Sequence, residues 1–417
     1  MKGLLWLGML CAWVPERAYP EAGEFESHFT AQSLRIDFVL SGDAGSRSAS
    51  LLKLKQEPVW SAPLMGLIDT FGYGEYYVYV SDPVSGDTLY SRGFNTLFEE
   101  WRTTREAASR TRAFLNTVYA PYPIHAVKVT IAGRSRADMH FYPLLSFEVD
   151  PEDPHIDRGA PVSYPVTTLV EHGSIADHVD LLFAAEGYVL GEEEKFLSTA
   201  RRFTEALFET PPFAERKERF NVRALFIPSR ERGTDIPQEG MYVDSPLGTS
   251  FYTFSIDRYL TTEAVPAISD ARWNVPCDAL IILVNTEVYG GAGIYNFYAT
   301  AAADNARSPH VFVHELGHSF GGLADEYFTS EVAYDNFYAL DQEPWEPNIT
   351  TLVHFEDKWG DLLAGSDETG SGVFEGGGYS SKGIYRPSDH CMMRDYAPFC
   401  PVCSRAIVRM IDFLAPR

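Results

Sequence analysis

The sequence predicts an N-terminal antiparallel β-sandwich over residues 25–160 and a C-terminal α/β (α+β) domain over residues 165–417. Short strand-like segments separated by turn signals indicate the first region, since such a series is typical of antiparallel sandwiches. A change to a strand–helix–strand pattern near residue 165 indicates the second region. The 417 residues are enough for two or three domains.

The first region contains four segments that are typical of strands. In such segments apolar and polar residues alternate, or β-branched and aromatic residues predominate, and turn residues stand at the ends. These segments are residues 34–40, 76–80, 126–131 and 144–149. Residues 98–108 do not fit this pattern clearly and could be helical. Residues 150–165, which are rich in Pro, Asp and His, are predicted to be a linker.

The second region begins with alternating strand and helix signals. Apolar runs predict strands at residues 179–183, 221–227 and 279–284. Residues 192–208 place their apolar side chains on one face of a predicted helix. Residues 296–302 could form either an edge strand that binds an extended substrate or an ordinary strand of the sheet.

The charge of the chain excludes some classes of partner. Lys and Arg number 34 against 58 Asp and Glu, which gives a formal net charge of -24. Nucleic acids and anionic membrane surfaces attract basic proteins, so neither is expected as a partner. No later segment approaches the ~18 consecutive apolar residues of a transmembrane helix. The sequence leaves the oligomeric state open.

The first residues resemble an export signal. Lys2 precedes an apolar run over residues 3–14, which is too short to span a bilayer. We therefore predict a signal peptide at residues 1–18 and an extracellular, cell-surface or periplasmic location. Cys11 could accept a lipid anchor, but Leu10 stands where a small residue is expected, so ordinary cleavage is favoured.

Four cysteines remain after the predicted signal, namely Cys277, Cys391, Cys400 and Cys403. They allow three disulfide pairings, and the sequence does not choose among them. The Cys400-Pro401-Val402-Cys403 segment could be half of a metal knuckle or a redox pair, but the sequence has no second such pair. Disulfides or unpaired structural thiols are favoured in an exported protein.

A metal-binding motif stands at His314-Glu315-Leu316-Gly317-His318. Ser308 and Pro309 suit the cap and the first position of a helix. On that helix His314 and His318 lie one turn apart and face the same way, so both imidazoles can bind one Zn²⁺ ion. Glu315 lies beside the first ligand and could take a proton from water bound to the metal.

A third metal ligand is expected soon after this helix. Asp325 stands seven residues past His318, and a continuous helix would carry it about 10 Å along the axis, out of reach of the metal. Gly321 and Gly322 are expected to end the helix, because glycine readily adopts the left-handed conformation of a helix C-terminus. We predict Asp325 as the third ligand and Glu326 as the nearest competitor.

Residues 314–327 resemble the IgA-peptidase-type metallopeptidases, the igalysins, of the metzincin group of zinc endopeptidases. The segments that resemble the family's loop before the Met-turn, its Met-turn and the stretch that follows are residues 375–379, 382–387, 391–395 and 399–403. The resemblance covers most of residues 165–417, and the N-terminal β region is similar in kind to the domain that precedes the catalytic one. It implies a metzincin-like zinc peptidase domain.

The resemblance also implies a methionine turn beneath the metal. Met393 is the better candidate for its methionine, with Met392 as the alternative. The chain departs from the usual metzincin pattern in two places. Ala324 stands where the third ligand is usual, and the acid follows at Asp325. Tyr396 stands three residues after Met393, where two are usual in the group, so no catalytic role is assigned to it.

These observations together predict a secreted zinc metalloendopeptidase that hydrolyses protein substrates with one catalytic Zn²⁺ ion. The family name suggests immunoglobulin A as a candidate substrate. One rival is a surface module that binds glycans or proteins with a vestigial zinc site, but an intact Glu315 argues against it. Another rival is an amidase with a small substrate. Tyr385 and Arg386 could line the cleft or belong to a structural loop.

Overall fold

The computed structural model describes residues 22–328, 337–363 and 371–416. The predicted signal peptide, residues 1–18 with Cys11, lies outside those residues. Within the described ranges, no helix combines the length and the apolar character that crossing a membrane requires.

Residues 22–149 form two antiparallel sheets with two short helices. The elements are α1 (Ala22–His28), β1 (Phe29–Gly42), β2 (Arg47–Glu57), β3 (Tyr76–Ser81), β4 (Thr88–Phe94), α2 (Leu97–Trp101), β5 (Arg112–Pro123), β6 (Val127–Arg134) and β7 (Phe141–Val149). The strands are ordered β2–β1–β5 in one sheet and β4–β3–β6–β7 in the other. The two sheets share an apolar core, in which Phe38 of β1 meets Phe94 of β4 edge-on at 6.2 Å between ring centroids.

The strands predicted at residues 34–40, 76–80 and 144–149 lie within β1, β3 and β7, and the one predicted at residues 126–131 starts one residue before β6. The ambiguous segment at residues 98–108 is helical only in its first turn, because α2 ends at Trp101. The predicted linker has no regular element, yet it is held against β2: the backbone of Asp157 bonds to Leu54 and Gln56 at 3.0 and 2.9 Å. Ile156 is buried. The segment is thus a packed connection.

Residues 166–302 build a six-stranded mixed sheet. The elements are β8 (Val166–Val170), β9 (Val179–Glu186), α3 (Glu193–Phe208), β10 (Phe220–Leu225), β11 (Thr249–Ser250), β12 (Thr261–Thr262), α4 (Val265–Ala271), β13 (Ala279–Val284), β14 (Gly291–Ile294) and β15 (Tyr298–Ala302). The sheet order is β14–β15–β13–β9–β10–β8. The four central strands are parallel, and β14 and β8 run antiparallel at the two edges.

The possibility that residues 296–302 form an edge strand is wrong. They contribute β15, which lies between β14 and β13 and is buried along its whole length. The edge of the sheet is β14, whose sequence Gly-Ala-Gly-Ile has a weak strand signal because glycine is depleted in strands.

The remaining elements complete a sheet-rich α+β fold. They are α5 (Ser308–Ser319), α6 (Gly360–Leu363), β16 (Phe374–Gly377), β17 (Ser380–Arg386) and α7 (Pro401–Leu414). Helix α5 carries the His–Glu–His motif and packs across the sheet. Its Phe312 ring lies 5.6 Å from Phe183 of β9 and 5.3 Å from Phe203 of α3. Strands β16 and β17 form an antiparallel hairpin.

The start of α5 differs from the prediction. Arg307 occupies the cap position, and Ser308 is already helical. The Ser308 hydroxyl is buried without a hydrogen-bond partner among the described residues, so it does not cap the helix. Asn305 orders the turn before α5 instead, since its side-chain oxygen accepts from the Arg307 N–H at 3.0 Å.

The edge strand β14 lies directly on α5 because it has glycines at the contact. A Cβ atom added at Gly293 would come within 2.2 Å of the Glu315 carbonyl oxygen and 2.7 Å of the His318 Cβ. One added at Gly291 would meet Val311 at 2.9 Å. The missing side chains therefore set the distance between the edge strand and the motif helix.

This contact predicts that Gly293→Ala destabilises the protein by about 1–3 kcal/mol, the usual cost of overpacking a close contact. The new methyl group would push against helix backbone, which cannot rotate away. Urea unfolding of the variant measures the loss. Gly191→Ala is the matched control, because a Cβ atom there meets nothing within 4 Å. Equal unfolding midpoints for Gly293→Ala and wild type would contradict this account of the contact.

Candidate metal centre

The motif residues of α5 face a cleft of about 430 Å³. His314, Glu315 and His318 line it, with Gly293 of β14 on one side and Met392 on another. One carboxylate oxygen of Glu315 and one ring nitrogen of each histidine lie within 4.8 Å of one another. The i, i+4 spacing of the histidines on one helix produces this convergence.

Three donor atoms form a compact triangle at the base of the cleft. The Nε2 atoms of His314 and His318 are 3.2 Å apart. The Oδ1 atom of Asp325 lies 3.0 Å from the first nitrogen and 3.3 Å from the second. Tetrahedral zinc with ligand bonds near 2.0–2.1 Å separates its ligands by about 3.3–3.4 Å. The triangle therefore has nearly the dimensions of one face of a zinc tetrahedron.

The hydrogen bonds of the two rings fix which nitrogens face the centre. The Nδ1 atom of His314 lies 2.9 Å from the Met392 carbonyl oxygen, and that of His318 lies 2.6 Å from the Leu323 carbonyl oxygen. A carbonyl only accepts, so each Nδ1 donates, and a neutral ring presents the lone pair of Nε2. Two such lone pairs meet the buried Asp325 Oδ1, and three electron-pair donors in contact require a cation.

The electrostatics of the cluster agree with this requirement. Burial opposes the charged form of His318, but the charge of Asp325 outweighs it and raises the pKa of the imidazole to about 9. Burial also opposes the charge of Asp325, yet the two imidazoles hold its pKa well below the usual range. A proton thus supplies the positive charge without a metal, and metal binding would replace that proton. Burial raises the pKa of Glu315, which makes it a stronger base.

The end of α5 brings the chain back toward these rings. The helix ends at Ser319, and Gly322 takes the left-handed conformation with φ of 65°. The Leu323 N–H then donates to the Gly317 carbonyl at 3.1 Å, which folds the chain against the last turn. The predicted glycine end is therefore confirmed, and Gly322 is the one of the pair whose backbone requires glycine.

Two other segments hold the returning chain in place. Asn348 pairs with the backbone of Ala324 through both atoms of its amide, at 2.8 and 2.9 Å. The Gly378 N–H donates to the Asp325 carbonyl at 2.9 Å. The Tyr379 hydroxyl donates to Asp325 Oδ2, so the oxygen that faces away from the imidazoles also has a partner.

Glu326, the competing candidate for the third ligand, does not join the imidazoles. Its side chain is fully buried on the other side of the loop. Its Oε1 atom lies 3.0 Å from the Asn348 amide nitrogen and 3.0 Å from the Cys403 sulfur. The structure thus brings His314, His318 and Asp325 together and leaves Glu326 apart.

Both methionines of the predicted turn lie beneath the histidines. The Met393 side chain is fully buried and packs on α5 at Gly317, where an added Cβ would be 2.6 Å from its sulfur. The Met393 carbonyl accepts from the Glu326 N–H at 2.8 Å. Met392 acts through its backbone, because its carbonyl holds His314. One methionine therefore supports the helix, and the other orients a ring.

Tyr385 and Arg386 do not line the cleft. Arg386 is buried, and its guanidinium donates to the carbonyls of Glu375 and Gly376 at 2.8 and 2.7 Å. The structural-loop interpretation of this pair is therefore the better one. Tyr396 does line the cleft, where it is 62% exposed and packs against His310 with ring centroids 4.1 Å apart.

Comparison with known families gives an independent result. Residues 167–370 and 364–411 match the family model described as IgA Peptidase M64, and residues 24–142 match that of the Peptidase M64 N-terminus. The chain belongs to the M64 peptidase family. This confirms the resemblance to the IgA-peptidase-type metallopeptidases and makes the protein a hydrolase. A comparison with curated proteins found no match.

The sequence of this M64 peptidase gave no role to two residues that the structure places at the centre. Tyr379 stands in the family-like loop at residues 375–379, and its position after three glycines was the available signal. Arg258 has no such signal, since it belongs to no motif. It lines the cleft, and its guanidinium donates to the Tyr327 hydroxyl at 3.1 Å.

The bond from Tyr379 to Asp325 predicts that Tyr379→Phe weakens zinc binding by about 10- to 100-fold, as is typical when a group that orients a ligand is lost. The phenylalanine ring keeps the packing and removes only the hydroxyl. Competition with a fluorescent zinc chelator measures the affinity. Tyr385→Phe, in the same hairpin but outside the cleft, is the control. Unchanged affinity in Tyr379→Phe would show that Asp325 needs no such support.

Proposed function

We propose that this M64 peptidase is an exported zinc-dependent endopeptidase that cleaves protein chains with Glu315 as general base. The observation that carries the proposal is the triangle of His314 Nε2, His318 Nε2 and Asp325 Oδ1, whose sides are 3.2, 3.0 and 3.3 Å. These dimensions fit zinc, and the carboxylate of Glu315 lies beside the triangle.

In this proposal His314, His318 and Asp325 hold the ion, and Met393 supports the helix beneath them. Zinc bound there would polarise the scissile carbonyl and lower the pKa of water to around 7. Glu315 takes the proton from the attacking water and later gives it to the leaving amine. Burial raises the pKa of Glu315, which makes its carboxylate a stronger base for the first step.

The edge strand β14 is the proposed docking site for an extended substrate. The Ala302 N–H donates to the Gly290 carbonyl at 3.1 Å. Because hydrogen-bonded pairs alternate along an antiparallel ladder, the backbone N–H and C=O groups of Gly291 and Gly293 point away from β15. Gly291 bonds outward to the backbone of Arg258 and Leu260. Gly293 is the next outward-facing residue, and it lines the cleft beside the imidazoles. A peptide could pair with it as an added strand.

The remaining parts of the proposal concern location, domains and substrate. Residues 1–18 would be removed as a signal peptide, residues 25–160 would form the N-terminal β-sandwich domain, and residues 165–417 the metzincin-like catalytic domain. The family description supports immunoglobulin A as a first folded substrate to assay. Exposed Tyr289 and Tyr396 line the cleft, which favours an open site for a polymer.

Glu315→Gln tests the general base. The amide cannot take a proton, so we expect kcat to fall by about 10²- to 10⁴-fold, the usual contribution of general acid–base catalysis. The imidazoles and Asp325 are untouched, so zinc content should not change. Cleavage of unfolded proteins and of immunoglobulin A measures activity, and elemental analysis measures zinc.

Equal cleavage by the Glu315→Gln variant and the wild type would overturn the mechanism. If neither protein cleaves any substrate although zinc is bound, the protein-binding alternative gains support. A purely small-substrate amidase would release product from short amide compounds and leave proteins intact.

Asp325→Ala tests the third ligand. We expect the zinc content of the purified variant to be lower than that of the wild type by one ion per chain, because two imidazoles alone hold zinc weakly. Asp395→Ala is the matched control, since Asp395 also lines the cleft but pairs with His390 at 2.9 Å. If Glu326→Ala and not Asp325→Ala releases the ion held by the histidines, the assignment is wrong.

A further inference from the structure

A second group of metal-binding side chains lies on the far side of the loop from the cleft. It consists of Glu326, Cys391, Cys400 and Cys403, whose donor atoms all lie within 4.8 Å of one another. Each of the four side chains is buried, and none is more than 5% exposed. We propose that these residues bind a second zinc ion, which has a structural role and does not take part in peptide hydrolysis.

The spacing of the donor atoms fits a metal better than a disulfide. The Cys391 and Cys403 sulfurs are 3.6 Å apart. A disulfide would bring them to about 2.05 Å. Tetrahedral zinc, with Zn–S bonds near 2.3 Å, separates two sulfur ligands by about 3.8 Å. The Glu326 Oε1 atom lies 3.0 Å from the Cys403 sulfur and completes the group of four.

The buried carboxylate is the second observation that points to a cation. Glu326 is fully buried, and its Oε2 atom has no hydrogen-bond partner among the described residues. A buried carboxylate surrounded by sulfur is unfavourable unless a positive charge or donors compensate for it. A disulfide between two of the cysteines would leave the third thiol and this oxygen without compensation, whereas one divalent ion engages all four groups.

The surroundings of the cluster supply donors suited to thiolate and carboxylate ligands. The Asn348 amide nitrogen donates to Glu326 Oε1 at 3.0 Å, and the Cys400 N–H approaches the Cys391 sulfur at 3.4 Å. Cys400 occupies the N-cap position of α7, and Cys403 lies in the first turn of that helix. The positive end of a helix dipole favours thiolates there. Metal binding would release the thiol protons to solvent.

The four ligands come from three separate segments of the chain. Glu326 belongs to the loop after α5, Cys391 directly precedes Met392, and Cys400 and Cys403 lie at the N-cap and in the first turn of α7. Glu326 follows Asp325 directly, and Cys391 precedes Met392, whose carbonyl holds His314. With four protein ligands the site would be closed, which is typical of structural zinc. The bound ion would therefore hold in place the backbone on either side of the cluster that positions Asp325 and His314.

Cobalt substitution of the full chain tests the proposal under reducing, anaerobic conditions. Co²⁺ bound to thiolates shows a strong near-ultraviolet charge-transfer band, whereas Co²⁺ bound only to imidazole and carboxylate does not. We expect this band in the wild type and in a His314→Ala, His318→Ala double variant, which lacks the catalytic triangle. Elemental analysis should then find two zinc ions per wild-type chain and one per double variant.

Single cysteine variants locate the site. Cys400→Ser should lose the charge-transfer band and one of the two zinc ions. Cys277→Ser, which is outside the cluster, should keep the band and both zinc ions. If Cys400→Ser does not fold, the double histidine variant still decides, because its cysteine cluster is intact.

Three results would overturn the proposal. They are no thiolate band in the wild type, no zinc in the folded double histidine variant, or a disulfide among Cys391, Cys400 and Cys403 in peptides from zinc-loaded protein. The outcome is independent of the proposed peptidase mechanism. If the wild type and the double histidine variant each contain a total of one zinc ion, and the thiolate band is present in both, the structural site is supported and the catalytic zinc site is contradicted.

Discussion

The centre depends on one reversal of the chain. Helix α5 carries two imidazoles but cannot supply the third donor, since its axis leads away from them. The left-handed backbone of Gly322 and the bond from Leu323 back to Gly317 fold the chain against the last helical turn. Asp325 then lies within 3.0–3.3 Å of both ring nitrogens. Without that turn, the Asp325 carboxylate would not reach the two imidazoles, and the other bonds around the centre could not hold it there.

The reversal is supported by segments that are distant in sequence. Asn348 pairs with the returning backbone, the β16–β17 hairpin contributes Gly378 and Tyr379, and the Met392 carbonyl orients His314. Each of these bonds restrains either a donor side chain of the triangle or the backbone next to it. Segments between Asn348 and Met392 thus form a scaffold for atoms that belong to α5 and the loop after it.

Sequence reasoning was most successful where the signal is local. The i, i+4 histidines, the glycine end of α5 and the longer strands depend on nearby residues, and the structure contains them as predicted. It failed where long-range contacts decide. The β14 edge strand has little strand propensity of its own and is set by packing on α5. The buried position of Arg386 and the grouping of three cysteines with Glu326 arise only once the segments are assembled.

If β14 docks the substrate as proposed, its glycines have a consequence for selectivity. A strand whose exposed positions carry no side chains can offer only peptide groups to a partner, and those are the same for every amino acid. Recognition by this strand would depend on whether a target segment can adopt an extended conformation, and it would depend little on the side chains of that segment. Flexible interdomain connections of folded proteins meet that demand and compact surfaces do not. Any preference for particular residues would then come from the aromatic walls of the cleft, such as Tyr289 and Tyr327.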